Sequence, residues 1–222
     1  MVRTPIAIAI ALMLVPPYAA AVDFAEDFQS GTLGAWTCHP CEDWSVACAN
    51  SQGTALVIQP FQPDLLSALC VSGLEWADFQ FDVDLRGLIP TDKMVRFRYS
   101  EQTGSYYYIN LRSGPAGDLW LSRYVPGNPS TTLATVPLPH QVGEWHHVSI
   151  RAEGQRIRVW IDGQIRIDAA DPDPLPYGTI CLGGWTGAIS QCAIQWDNVQ
   201  ILDLFVPVTP STWGAIKAEG AR

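Results

Sequence analysis

Three sets of residues in this chain have types and spacing suited to chemistry. The first is Asp82 and Asp84, within Phe79-Gln-Phe-Asp-Val-Asp-Leu-Arg86. In an extended strand alternate side chains share a face, so the two carboxylates would stand side by side, as a catalytic pair in glycoside cleavage must. Gln80 and Arg86 share that face, and a solvated strand surface is the plainer reading. The second set is planar and aromatic: Arg96, Arg98, Tyr106, Tyr108, Asn110 and Trp120, each at the polar phase of an apolar-polar repeat. Neighbouring antiparallel strands would gather them on one sheet surface, with Arg158 and Trp160 as an extension and Trp185, after Gly183-Gly184, as a separate loop candidate. Ring planes against C–H faces, with planar Arg and Asn groups around hydroxyls, are what hold a sugar. The same residues also suit ordinary surface aromatics or the cover of a second layer.

The third set is six cysteines. Cys38 and Cys41 form a C-x-x-C behind Trp36, a spacing that thiol oxidoreductases place at a helix N-terminus to lower a thiol pKa. No strand, helix and parallel strand surround it, so a structural bridge is favoured. Zinc through Cys38, Cys41, His39 and Cys48 lacks the second paired ligand set that makes such spacing specific. His39 and His140 lie beside prolines, and His146 and His147 alternate across a strand, which points them to opposite faces.

The compartment decides how the cysteines read. Arg3 precedes an apolar run from Ile6 to Val15, then Pro16-Pro17 and Ala19-Ala20-Ala21, the order of a secretory signal peptide over residues 1–21 with cleavage near Ala21. The expected location is secreted, extracellular or periplasmic. There an even number of cysteines implies disulfides. Cys181 and Cys192 flank a Gly-rich connection and are the first expected pair; Cys48 with Cys70 and Cys38 with Cys41 is one of three connectivities open to the rest. The run is too short to cross a bilayer and no later stretch is long enough, so no membrane insertion is expected. With 13 Lys and Arg against 22 Asp and Glu, a net charge of −9 and dispersed basic residues, nucleic acid is excluded as the main partner.

The elements that must position these groups are strands. Phe79, Phe81, Val83 and Leu85 alternate with polar residues, as do Val95, Phe97 and Tyr99, and then Tyr107, Ile109 and Leu111. Turn signals separate the runs, at Pro90-Thr91-Asp92, Thr103-Gly104, Gly114-Pro115 and Pro126-Gly127-Asn128-Pro129. About a dozen short strands without a helix before residue 210 predict an all-β, antiparallel two-sheet sandwich, one domain over 22–205. Residues 206–222 read as an extended spacer, Val206-Pro-Val-Thr-Pro210, and a short helical tail capped by Ser211 or Thr212.

Phe24-Ala-Glu-Asp-Phe-Gln-Ser-Gly31, followed by Trp36, resembles the opening strand of concanavalin A-like lectin and glucanase jelly rolls. The run from Gly143-Glu-Trp-His-His-Val-Ser-Ile150 through Val159-Trp-Ile-Asp-Gly163 and Gly178-Thr-Ile-Cys-Leu182 to Trp196-Asp-Asn-Val199 is similar to the LamG-like and 3-keto-disaccharide hydrolase-like branches. The resemblance implies a carbohydrate ligand. It also implies a structural calcium between first and last strands, with Glu26 or Asp27, a carbonyl near Ser30 or Gly31, and Asp197 in the matching places. The two Glu separated by an Asp that mark the catalytic strand of the family's endoglucanases are missing. Three readings follow: a secreted, non-catalytic, lectin-like module; a glycoside-processing enzyme of the 3-keto-disaccharide hydrolase-like branch; or a structural, adhesive surface module. The ending Ser211-Thr-Trp-Gly-Ala-Ile-Lys217 resembles a terminal segment that recurs on exported bacterial proteins.

Overall fold

A computed structural model describes residues 22–39, 43–48, 54–58, 66–186 and 191–204. The expected leader over 1–21 and tail over 206–222 lie outside these residues, as do Cys41 and the side chains of His39 and Cys48. In chain order the strands are β1 (Val22–Glu26), β2 (Trp36–His39), β3 (Trp44–Cys48), β4 (Thr54–Ile58), β5 (Leu66–Val71), β6 (Phe79–Gly87), β7 (Asp92–Tyr99), β8 (Tyr106–Arg112), β9 (Asp118–Tyr124), β10 (Thr131–Pro137), β11 (His146–Glu153), β12 (Arg156–Ile161), β13 (Gln164–Ala170), β14 (Thr179–Trp185) and β15 (Ile194–Asp203). They pair antiparallel into two sheets, ordered β13-β12-β11-β6-β15-β4-β3, with β1 also on β15, and β10-β9-β8-β7-β14-β5-β2. This is the sandwich that the period-two pattern predicts.

Alternation sorts the side chains. In β6 the residues Phe79, Phe81, Val83 and Leu85 are fully buried between the sheets, while Gln80, Asp82, Asp84 and Arg86 stay half-buried on the outside. Val95 and Phe97, Ile109 and Leu111, and Leu119 and Leu121 answer them from the facing sheet. Each such side chain contributes roughly 1.5–3 kcal/mol on burial, and together they fix which face of every strand looks outward. Asp162 (φ 53°) and Gly163 (φ 73°) make the two-residue turn between β12 and β13, the hairpin expected from Asp-Gly.

Two of the bulges shift residues that matter to the candidate sites. Between β14 and β7 the register runs from Cys181↔Arg96 to Thr179↔Tyr99, one residue more on β7, and Arg98 takes φ 47° there. Gly178 lies against this bulge so closely that an added Cβ would sit 2.4 Å from the Tyr99 carbonyl oxygen. The second bulge is in β15, where Asn198 has φ 52° and the inward phase shifts from Trp196 to Val199.

The cysteines pair differently from the expectation. Cys70 is bonded to Cys181, its direct partner in the β5–β14 register, and Cys192 is a buried free thiol. Both expected pairs, Cys181–Cys192 and Cys48–Cys70, are therefore overturned. The reason is strand phase: Cys181 points outward with Cys70, Ala68 and Tyr99, whereas Cys192 joins the inner core beside Gly184 and Ile194. Cys38 is also disulfide-bonded; its expected pairing with Cys41 falls outside the described residues.

A lysine lies between the sheets. Lys93 takes the inward phase of β7 at 1% exposure, donating to Ser113 Oγ at 2.5 Å and reaching the Thr91 carbonyl at 3.5 Å. Burial lowers its pKa to about 8, against weaker support from Asp92 and Cys192, and burial pushes the Cys192 thiol up to about 11. An ammonium that the folded chain releases near pH 8 and the unfolded chain near 10.5 costs stability most below pH 8, about 3 kcal/mol, falling to about 2 by pH 9. Lys93→Met is therefore expected to melt above the parent at pH 7, with the gap in unfolding free energy narrowing by about 1 kcal/mol at pH 9. A gap independent of pH would show an ordinary lysine.

Candidate functional site

The outer face of the seven-stranded sheet collects most of the aromatic and planar set. Register places Arg96, Tyr108 and Ser122 in one cross-strand row, Met94, Asn110 and Trp120 in the next, and Asp92 and Arg112 in a third, where Arg112 also meets Asp118 through its side chain. Gly183 and Trp185 extend the last two rows on β14. Trp185, expected on a loop, is the last residue of that strand and 43% exposed. Trp120 and Trp185 thus stand three strand spacings and one row apart, roughly 16 Å, with Asn110, Met94 and Gly183 continuing the row of Trp120.

The rings support one another. Tyr106 packs against Tyr124 at 5.0 Å, Tyr108 at 5.9 Å and Tyr99 at 6.1 Å between centroids. The Arg96 guanidinium lies 4.8 Å from the Tyr106 ring and that of Arg112 5.2 Å from Trp120, cation–π contacts that keep long side chains in one pose. Burial moves the Arg96 pKa down and the Tyr106 pKa up, each partly countered by the other. Asn110 donates to Asp92 Oδ2 at 3.0 Å and Arg112 to Asp118 Oδ2 at 2.7 Å. Four polar atoms remain buried without a protein partner here: Arg96 Nε and Nη2, Asn110 Oδ1 and Asp118 Oδ1. Buried polar groups are nearly always satisfied, so a face with spare donors and acceptors among rings has the chemistry to take a hydroxyl-rich ligand. Tyr124, Asp92, Arg112 and Asp118 belong to it as well, at positions the same alternation would have selected; Tyr99, expected at the inward phase with Val95 and Phe97, is carried to this face by the bulge at Arg98.

Three expected members lie elsewhere. The bulge turns Arg98 away from this face: Nε donates to the Ala77 carbonyl at 2.8 Å, Nη1 to those of Leu175 and Gly154 at 2.9 and 3.0 Å, and Nη2 faces Asp78 at 3.4 Å. At 2% exposure it is a structural clamp. Arg158 and Trp160 are on β12, in the other sheet, and so lie on the opposite outer face.

Asp82 and Asp84 share that opposite face, as expected, but each is engaged. Asp84 Oδ1 meets His147 Nδ1 at 2.7 Å and its Oδ2 accepts from Asn198 Nδ2 at 2.8 Å; Asp82 accepts from Ser149 Oγ and from Gln80 Nε2 at 3.2 Å. Both carboxylates are thus hydrogen-bonded, and Asp84 stands opposite Asp197 in the register of β6 and β15. His146 and His147, expected on opposite faces, both meet the Asp162 carboxylate, through His146 Nδ1 and the His147 backbone N–H. The positive φ of Asp162 brings its side chain back over the end of β11.

The expected calcium ligands close local turns: Glu26 Oε1 accepts from the Phe28 N–H, Asp27 Oδ1 from the Gln29 N–H and Asp197 Oδ1 from the Asn198 N–H, while the Gly31 N–H donates to the Phe28 carbonyl. Burial raises the Asp197 pKa, and Asp84 and Asp27 add to the rise. Among the described residues no group of three or more His, Cys, Asp or Glu is arranged to hold a metal.

Residues 26–202 match the family described as the 3-keto-alpha-glucoside-1,2-lyase-like domain. No curated protein matches the chain. Among solved structures, the carbohydrate-binding module CBM66 of Bacillus subtilis is similar with a TM-score of 0.60 and 19% identity over 76% of this chain and 96% of that one. A Bacillus licheniformis beta-glucanase gives 0.62 and 15% over 81% and 97%. The exoplasmic/lumenal domain of VIP36, in its Ca2+/Man3GlcNAc-bound form, gives 0.60 and 14% over 85% and 92%. The shared fold is the concanavalin A-like jelly roll.

Proposed function

The chain belongs to the 3-keto-alpha-glucoside-1,2-lyase-like domain family, and we propose that it is a saccharide-binding module whose ligand lies across the outer face of the seven-stranded sheet. The observation that carries this reading is the set of unspent polar atoms on Arg96, Asn110 and Asp118 among the rings of Tyr106, Tyr108, Tyr124 and Trp120. A pyranose offers alternating hydroxyls around an apolar C–H surface, which such a face complements. The carboxylates of this face, Asp92 and Asp118, flank Arg112 and are held by Asn110 and Arg112, so binding without bond cleavage is favoured over an acid–base pair. Glycoside turnover is the second reading, supported by the family. The Cys70–Cys181 bridge supports a secreted or periplasmic location, since such bonds persist outside a reducing cytosol. The test is titration of the chain lacking residues 1–21 with methyl α-D-glucopyranoside, maltoheptaose, laminarihexaose and Man3GlcNAc, with each mixture analysed for products. Saturable binding with the sugar recovered intact is expected; product formation would replace the binding reading with turnover.

A further inference from the structure

The opposite side of the sandwich has a recess of about 440 Å³, walled by Gln80, Asp82, His147, Ser149, Arg158 and Trp160 among others. Asp82, Ser149 and Trp160 form one cross-strand row over β6, β11 and β12, and Asp84 with His147 stands beside it. Outward phase on three adjacent strands therefore aims all of these groups at the same surface.

The polar heads are fixed before any ligand arrives. His147 is held through Nδ1 by Asp84, which Asn198 secures from the left-handed bulge of β15. Asp82 is held by Gln80 and Ser149. Arg158 is paired with Glu153 and rests 5.6 Å from the Trp160 ring. Each still has capacity to spare. His147 Nε2 finds only long partners, Asp82 Oδ1 at 3.4 Å and Ser149 Oγ at 3.5 Å, and Arg158 Nε is buried with no partner. An imidazole nitrogen, a carboxylate and a guanidinium N–H, positioned around an indole in a cavity of ligand size, form a preorganised polar set on an aromatic wall.

We propose that this recess is a second saccharide subsite, on the face opposite the tyrosines, so that one chain holds two glycan segments and cross-links them. The proposal rests on the reading of the ligand as a saccharide, and adds a bivalent function, because two sites on one rigid body convert a second binding event into a local one.

Calorimetric titration of the chain lacking residues 1–21 with maltoheptaose and with laminarihexaose, together with clumping of beads bearing the same sugars, tests it. At least one probe is expected to bind at two sites per chain. Trp160→Ala should leave one site, Trp120→Ala should leave the other, and either change should abolish clumping. Arg158→Met keeps an apolar stem against Trp160 and removes the charged group, so it guards against a folding failure; it should weaken the recess site at least tenfold and leave the other unchanged. A single site lost in Trp120→Ala but intact in Trp160→Ala and Arg158→Met would overturn the second subsite and leave the tyrosine face standing. A single site lost only in Trp160→Ala would overturn both assignments, and no binding of either probe would overturn the second subsite while the tyrosine face is still judged on the full saccharide panel.

Discussion

Arg98→Met is expected to lower the unfolding free energy by about 3–5 kcal/mol, because the loss leaves buried groups unpaired. Its guanidinium serves three backbone carbonyls, those of Ala77, Gly154 and Leu175, and faces Asp78. These come from three separate segments around one end of the sandwich, and no neighbouring donor replaces the lost N–H groups at 2% exposure. Arg96→Met, two residues earlier, removes a guanidinium that leaves two nitrogens without protein partners. It should cost less than about 1 kcal/mol of stability, as expected where few paired groups are lost, and should weaken saccharide binding. Denaturant unfolding of the two variants checks this. Equal stabilities would place both arginines on the same face.

The second large effect separates neighbours on β9. Leu121 is fully buried between the sheets and Trp120 is half-buried on the outer face. Leu121→Ala is expected to cost about 2–5 kcal/mol from lost transfer energy and the cavity left behind, with the surviving folded protein still binding sugar. Trp120→Ala should cost about 1 kcal/mol or less, chiefly its contact with Arg112. It should lower affinity at the tyrosine face by about 30-fold or more, as loss of a central aromatic anchor does. Unfolding by Trp120→Ala would mean that the ring belongs to the core.

The two neighbours behave differently because of a pattern legible in the sequence, and the limits of that pattern are equally physical. Alternation alone places Arg96, Tyr106, Tyr108, Asn110 and Trp120 on one face, since pairing of β7, β8 and β9 in sequence order needs only short hairpins. It misplaces Arg98 because a bulge adds one residue at a position with neither glycine nor proline to announce it. Arg158 and Trp160 have the right phase on the wrong sheet: periodicity says which residues face out, but the sheet that β12 joins is set by long-range pairing with β11 and β13. Gly183-Gly184 reads as a loop, yet both lie in β14. There a Cβ on Gly184 would come within 2.5 Å of Cys192 Sγ, so the small residue marks packing rather than a turn. The bridge is misread for a related reason, because spacing of 11 residues suggests Cys181 with Cys192, while opposite phases send Cys181 to Cys70, 111 residues away.

Three consecutive tyrosines give the most direct test of the central claim, that a saccharide binds on the outer face of the seven-stranded sheet. Tyr106 and Tyr108 point outward, whereas Tyr107 is fully buried, donates to Asp171 at 2.6 Å and has its pKa pushed up to about 12, first by burial and then by that bond. Ring signals from tyrosine-labelled protein should be followed by NMR while whichever panel saccharide binds is titrated to saturation. The account predicts that Tyr106, Tyr108 and Tyr124 shift in proportion to occupancy and Tyr107 stays in place. Saturation with those three rings unmoved would contradict it.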